Sequence, residues 1–314
     1  MLHRRAFKVS VAWTLALLWL GSVVHATESS LACPDWPTCF GTMVPEMTGG
    51  VFWEHLHRLV AGGLLLMWGL ATWLAHKETT DRPWIFRAAL GGVALLLVQS
   101  LFGGLTVLFR LPDWISTTHL TLALSFLALA TVLASATSRA GSADDDAGPD
   151  AGADVGTDET TRRLSVAAPA LVLAQSVLGG LVRHMDAGMA CPDVPLCLGR
   201  VVPPLVNAPI TVHFVHRVLA LIAVGVVLAL LVRARSAPTS PAVRRWTAVA
   251  AALVLVQVGL GVASVLTTLA VLPVSLHTLV AASLLATLVH VAVLARAAGR
   301  GRPAHGPATP AMVA

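Results

Sequence analysis

Ala32-Cys33-Pro34-Asp35-Trp36-Pro37-Thr38-Cys39 returns 158 residues later as Ala190-Cys191-Pro192-Asp193-Val194-Pro195-Leu196-Cys197. At the same offset Gln99 maps onto Gln257 and His119 onto His277, and with one inserted residue His57-Arg58 maps onto His216-Arg217. A tandem duplication of this length makes half the chain the unit of structure, so each local pattern has to be read twice. Around the two copies lie apolar runs at 9–26, 55–75, 85–109, 114–138, 164–183, 211–233, 243–268 and 274–296. Runs of this length cross the roughly 30 Å of hydrocarbon in a bilayer as helix. The fold expected is an all-α membrane protein, with eight transmembrane helices arranged as two tandem-repeated four-helix bundles. Its expected division is an N-terminal bundle over 1–138, an acidic cytoplasmic linker over 139–163, a C-terminal bundle over 164–298 and a disordered tail over 299–314.

Composition agrees with that reading. Of 314 residues 56% are hydrophobic and 12% charged, against roughly 25% charged in a soluble domain. Of the 21 Lys and Arg, only Arg58, Arg110, Arg183, Arg200 and Arg217 fall on the side of the Cys-bearing loops. The excess on the other side places both termini in the cytoplasm and the loops outside. The same asymmetry accounts for the net charge of +5 without a nucleic-acid partner. Arg4, Arg5 and Lys8 before an apolar stretch ending Val24-His25-Ala26 have the form of a signal peptide. The fifth span is its counterpart, lies mid-chain and flanks the equivalent loop, so the first span is read as retained. Asp144, Asp145, Asp146, Asp150, Asp154, Asp158 and Glu159 mark the linker as solvated, because such a segment cannot bury apolar surface. The long outer loops, 26–53 and 183–210, carry the motifs, so function is expected on the outer face.

Each half places two histidines near the outer ends of its second and fourth spans, His57 with His119 and His216 with His277. Ionisable side chains within membrane spans are rare and normally functional. Two imidazoles from two helices of a bundle are what a haem iron needs as axial ligands, and two pairs imply two haem sites. Arg58 and Arg217 follow their histidines directly and are expected to hold a propionate by a bidentate bond. Zinc usually takes three or four protein ligands, which two His per half do not supply; His55 and His213 stay open as extra ligands. The halves differ at one informative place. Glu54 stands three residues before His57, on the same helix face, where the second half has His213 before His216. A carboxylate beside an iron ligand can move protons or stabilise a cationic intermediate; the plainer alternative is a helix N-terminal charge favoured by the dipole.

The remaining signals read as structural. His3, His76, His290 and His305 look solvated or interfacial, and His25 and His184 structural. Gly91-Gly92, Gly103-Gly104, Gly179-Gly180, Gly259 and Gly261 read as helix-packing sites. All four cysteines sit in the outer loops, where disulfides are permitted. Cys33 with Cys39, and Cys191 with Cys197, would each close a small loop; a redox-active role is the alternative, and spacing alone does not decide.

Glu28-x-x-x-Ala32-Cys33-Pro34-Asp35-Trp36-Pro37-x-Cys39-x-Gly41, then Glu54-His55-Leu56-His57-Arg58, then Thr117-Thr118-His119-Leu120, resembles the haem A synthases of cytochrome oxidase assembly over nearly the whole chain. The resemblance implies an oxidoreductase acting on a CH group, which converts the C8 methyl of haem O to a formyl group via hydroxylated intermediates. It implies His57 and His119 as ligands of the substrate haem O, Glu54 as the catalytic carboxylate, and His216 and His277 as ligands of a resident haem b. The partners that follow are the haem O synthase that supplies the substrate, an electron partner and the lipid bilayer of the cell membrane, with a homo-oligomer left open. One departure is that both halves carry the Cys pair, where many members have it only in the first half or lack it, which favours loop staples. The rival reading is a di-haem b electron-transfer cytochrome in which both histidine pairs are equivalent and Glu54 is dispensable. A transporter built from repeats ranks behind it, since four helices per half make this repeat parallel and no span has a midplane proline.

Overall fold

The computed structural model describes residues 2–145 and 157–298. Among them run eight long helices: α1 (Leu2–Ala26), α2 (Gly49–Glu78), α3 (Pro83–Leu108), α4 (Asp113–Asp145), α5 (Glu159–His184), α6 (Ala208–Ser236), α7 (Pro241–Leu266) and α8 (Val271–Ala298). Each is long and apolar enough to cross a membrane. The described residues hold no strand, only the matched bridges Cys39 to Thr42 and Cys197 to Arg200 inside the two outer loops.

Helix is the form that satisfies its own backbone in hydrocarbon, and the ends are marked by residues that supply what the first turn lacks. Pro83 opens α3 and Pro241 opens α7, where the missing N–H costs nothing. Asn207 caps α6 by accepting the Ile210 N–H at 3.0 Å, and Asp158 caps α5 by accepting that of Thr161 at 2.9 Å. Within the spans hydroxyls turn back on the helix, as Thr14 does to the Ser10 carbonyl at 2.7 Å and Thr247 to that of Val243 at 2.7 Å, which satisfies them within their own helix.

In the first half α1 packs on α2, α2 on α3, α3 on α4 and α4 on α1; α5 to α8 close in the same order. The two rings meet where α1 touches α8, α4 touches α5 and α4 touches α8. The central helices are therefore α1, α4, α5 and α8, and half of the span of α4 and of α8 is buried against 17% for the outer α6. One apolar core gathers Phe7, Leu64, Trp68, Ile85 and Phe126 within the first half. The other fills the second half and extends across the seam to Leu18, Leu124 and Leu127. The buried Trp68 indole donates to the Ala89 carbonyl at 2.9 Å, and Gly92 makes room for it, since a Cβ there would lie 2.5 Å from Nε1.

The seam is also polar. Ser22 meets Thr278 at 3.0 Å, Ser135 meets His290 at 2.7 Å, Thr117 meets His184 at 3.0 Å, and Arg183 donates to the His25 carbonyl at 3.0 Å. His25 and His184, expected as structural, thus lie together there, ring centroids 5.4 Å apart. His3, expected to be solvated or interfacial, is instead buried, with Nδ1 2.7 Å from Glu78, because the start of α1 packs against the end of α2. The stretch expected as linker, 139–163, carries helix at both ends, since α4 runs to Asp145 and α5 begins at Glu159. Residues 146–156 between them, and the expected tail at 299–314, lie outside the described residues.

Candidate functional site

His57 and His119 stand near the starts of α2 and α4, and His216 and His277 near the starts of α6 and α8, at the ends that carry the Cys loops. Each imidazole lies edge-on against a glycine of the helix before it. A Cβ on Gly21 would stand 3.0 Å from His57 Cε1, on Gly103 3.0 Å from His119, on Gly179 2.9 Å from His216, and on Gly261 3.1 Å from His277. These distances are shorter than ordinary contact, so no other residue fits behind the ring without moving it. His119 donates Nδ1–H to the Gln99 backbone carbonyl at 3.0 Å, which leaves Nε2 as the lone-pair nitrogen. The side-chain amides of Gln99 and Gln257 approach that nitrogen of His119 and of His277 at 3.3 and 3.2 Å. Nδ1 of His57 and of His277 is buried without a hydrogen-bond partner. Two pairs of glycine-backed imidazoles within apolar bundles fit a bis-histidine porphyrin iron, and zinc would want further ligands that neither pair supplies.

The Cys loops fold over these ends by a second set of matched contacts. Both are closed by disulfides, Cys33–Cys39 and Cys191–Cys197, as the outer location favoured. Arg58 donates from Nη1 to the carbonyls of Asp35 at 2.8 Å and Thr38 at 2.6 Å, and Arg217 from Nη1 to those of Asp193 and Leu196, both at 2.7 Å. Their second nitrogens reach the carbonyls of Cys33 at 3.5 Å and Cys191 at 2.5 Å. Both guanidiniums, expected at propionates, are thus engaged by loop backbone. Gly41 and Gly199 turn each loop with φ of +73° and +71°, a conformation open to glycine. Asp35 accepts from the Thr38 hydroxyl and from the amides of Gly41 at 2.9 Å and Phe40 at 2.6 Å, which hold its carboxyl below the usual carboxylate range.

Glu54 and His213 are where the chemistry diverges. Glu54 is 4% exposed; its Oε1 accepts from Arg58 Nη2 at 2.5 Å and its Oε2 from the Cys33 N–H at 2.8 Å. Its charge is therefore balanced in place, as a buried carboxylate requires. His213, equally enclosed, donates Nδ1–H to the Ala187 carbonyl at 2.8 Å. His55 is turned to the loop, Nε2 at 3.1 Å from the Met43 carbonyl. Its grouping with Cys33 and Cys39 within 4.8 Å offers no metal site, because both sulfurs are in the disulfide.

Three contacts escape a reading of the sequence. Gly21, unpaired with another glycine, gives no packing signal, yet it backs His57 as Gly179 backs His216. Trp36 lies flat on Gly104, where a Cβ would stand 2.7 Å from the indole; the second half has Val194 and Val262 at these places, a large–small pair exchanged for two of middle size. Gln175 Nε2 lies 3.0 Å from His216 Nδ1, with no amide at the corresponding Leu17.

Comparison with known proteins gives the family of the chain. The family model COX15-CtaA, described as cytochrome oxidase assembly protein, matches residues 4–289. The Heme A synthase of Symbiobacterium thermophilum is 32% identical over 267 residues, covering 84% of this chain and 85% of its own length. That of Halalkalibacterium halodurans is 31% identical over 285 residues, with 88% and 92% covered. That of Alkalihalophilus pseudofirmus is 26% identical over 316 residues, spanning 97% of this chain and all of its own.

Proposed function

The chain belongs to the COX15-CtaA family of cytochrome oxidase assembly proteins, and we propose that it is a haem A synthase, oxidising the C8 methyl of haem O to a formyl group through hydroxylated intermediates. The observation that carries the reading is the one exchange of an acid for a base between the two sites, Glu54 in one and His213 in the other. A pure electron carrier has no use for it, whereas oxidation of an inert methyl needs a group beside the substrate that takes up protons.

In this reading His57 and His119 hold the substrate haem O, and Gly21 and Gly103 fix the azimuth of the two rings. Glu54 accepts the protons that leave the methyl carbon. Its anchoring through Oε1 to Arg58 and Oε2 to Cys33 holds the carboxylate in one position relative to the loop. His216 and His277 hold a resident haem b, which when bound supplies a one-electron redox centre for passing electrons to a partner. Arg58 and Arg217 serve the sites by keeping each disulfide-closed loop over its histidines and excluding water; a propionate would share the fork with loop carbonyls. The arginine asymmetry supports cytoplasmic termini and sites toward the outer face. Haem O reaches the site from the synthase that makes it.

Expressing the full chain with a source of haem O and extracting the haems tests the proposal. Haem A or its hydroxylated precursor should appear, and Glu54→Gln and His57→Ala should each abolish it while haem b remains. His216→Ala should instead lower haem b. Recovery of haem b alone from an intact bis-histidine protein would favour the electron carrier and overturn the assignment.

A further inference from the structure

The two disulfide-closed loops match in their turns, their bridges and their arginines, but the helices below them do not offer the same side chain. Below the first, α2 supplies His55; the corresponding residue of α6 is Phe214. The proposed haem chemistry makes no use of His55.

His55 is 3% exposed, and Cys33 and Cys39 are fully buried. Its Nε2 lies 3.1 Å from the Met43 carbonyl. A carbonyl only accepts, so Nε2 carries the ring proton, and in the neutral imidazole Nδ1 is the lone-pair nitrogen. That nitrogen is buried without a hydrogen-bond partner. An imidazole held through one nitrogen by a carbonyl, with the other open, is the arrangement in which metal-ligating histidines are set. A ring nitrogen of His55 and the two sulfurs lie within 4.8 Å of one another, the one such trio of His, Cys, Asp or Glu among the described residues.

While the disulfide stands, its sulfurs bind no cation. Reduction by an external dithiol delivers two electrons and two protons, giving two thiols here and a disulfide in the dithiol. We propose that the reduced first loop is a metal site, in which Cys33, Cys39 and His55 ligate a thiophilic cation, Zn²⁺ or Cu⁺, and the two thiol protons leave to solvent. Thiolate ligands select these ions, and two Cys with one His is a known zinc set with a position left open. Around such an ion the ligand atoms stand about 3.5–3.8 Å apart, so a nitrogen already within 4.8 Å has little to move. Because both sulfurs are buried, a dithiol reaches them as the loop lifts from α2. Cys33 also donates its N–H to Glu54 at 2.8 Å, so an ion on its sulfur would sit beside that anchor. The inference does not rest on the haem reading.

The test uses the purified full chain, reduced with dithiothreitol, desalted without oxygen, and titrated with Zn²⁺ or Cu⁺ against a chromophoric chelator. A chain carrying Cys191→Ser and Cys197→Ser keeps the first loop alone; one carrying Cys33→Ser and Cys39→Ser keeps the second. On reduction the first should take up about one ion more than its oxidised form, protect both thiols from alkylation, and show sulfur-to-metal absorption with Co²⁺. The second, with Phe214, should bind at least about tenfold more weakly, and His55→Phe in the first should cost more than the roughly tenfold to hundredfold of losing an outer partner. Preference for one ion over the other names the occupant. A disulfide that the dithiol does not open, or equal uptake by reduced and oxidised chains, overturns the site. Equal affinity of the two loops overturns the part given to His55, and that comparison needs no variant of the residue to fold.

Discussion

If His277 holds a haem as proposed, Gly261→Ala should displace that ligand, and Gly259→Ala, two residues away on the same helix, should not. A methyl on Gly259 meets nothing within 4 Å, whereas one on Gly261 stands 3.1 Å from His277 Cε1 and 3.6 Å from Nδ1. At Gly259 the change keeps only the helix-propensity gain of Ala over Gly, up to about 1 kcal/mol. At Gly261 ordinary contact begins near 3.4 Å, so the ring must retreat by a few tenths of an ångström or α7 and α8 must part. Overpacking of this kind costs about 1–3 kcal/mol, and the ring's orientation toward the iron is what gives way. Where the ring's turn away from the iron carries that cost, haem b affinity falls roughly fivefold to a hundredfold. Gly179→Ala, with the tightest approach of the four at 2.9 Å to His216, should lose more. The assay is haem b per protein in the purified full chain, with the optical spectrum of the bound haem. If Gly261→Ala and Gly179→Ala match Gly259→Ala in both, the glycines do not position the ligands and the fit of these pairs to haem loses its geometric support.

Three further outcomes follow from the outer loops. Replacing Cys33 and Cys39 together by Ser should cost about 2 kcal/mol, the loop-closure value for so short a ring, read as a lower melting temperature; alkylation should find four thiols in the unaltered chain, and two in the variant, only after reduction. Gly104→Ala should push the Trp36 indole off α3, at a cost of about 1–3 kcal/mol, and make the first loop cleavable by protease while the second stays intact. Asp35, its carboxyl held low by the Thr38 hydroxyl and by the Gly41 and Phe40 amides, stabilises the first loop above the unfolded value of about 4 and loses that contribution as pH falls through the lower folded value. Protection of that loop's amides from hydrogen exchange, taken relative to the unfolded chain at each pH, should therefore be steady from neutral pH to about 4 and fall below it, and Asp35→Asn should remove the acid step.

The spans were legible because crossing hydrocarbon demands length and apolarity, which composition shows directly. The histidine pairs were legible because duplication printed them twice, and Glu54 because it broke the copy. What the repeat hid is instructive. Gln175 has no counterpart, so the comparison of halves that revealed Glu54 passed it by. Arg58 and Arg217 adjoin their histidines in sequence, but neighbours along a helix point about 100° apart, and the guanidiniums turn to the loops rather than share the histidines' direction. The glycines looked like sites of helix against helix, yet Gly103, Gly179 and Gly261 are sites of helix against imidazole, and so is Gly21, which gave no packing signal. Helix α4 outruns its apolar span because leaving the hydrocarbon does not oblige a helix to stop.

The polar seam between the two rings bears on whether a half can stand alone. Ser22, Thr117, Ser135, Arg183 and His184 find partners there only across the boundary between halves. A half expressed alone would turn that face to acyl chains, where unpaired polar groups are costly. A second copy of the same half would not restore these pairs: at the 158-residue offset Ser22 and Thr278 correspond to Gly180 and Leu120, and Ser135 and His290 to Val293 and Val132, so each half is fitted to the other and not to itself.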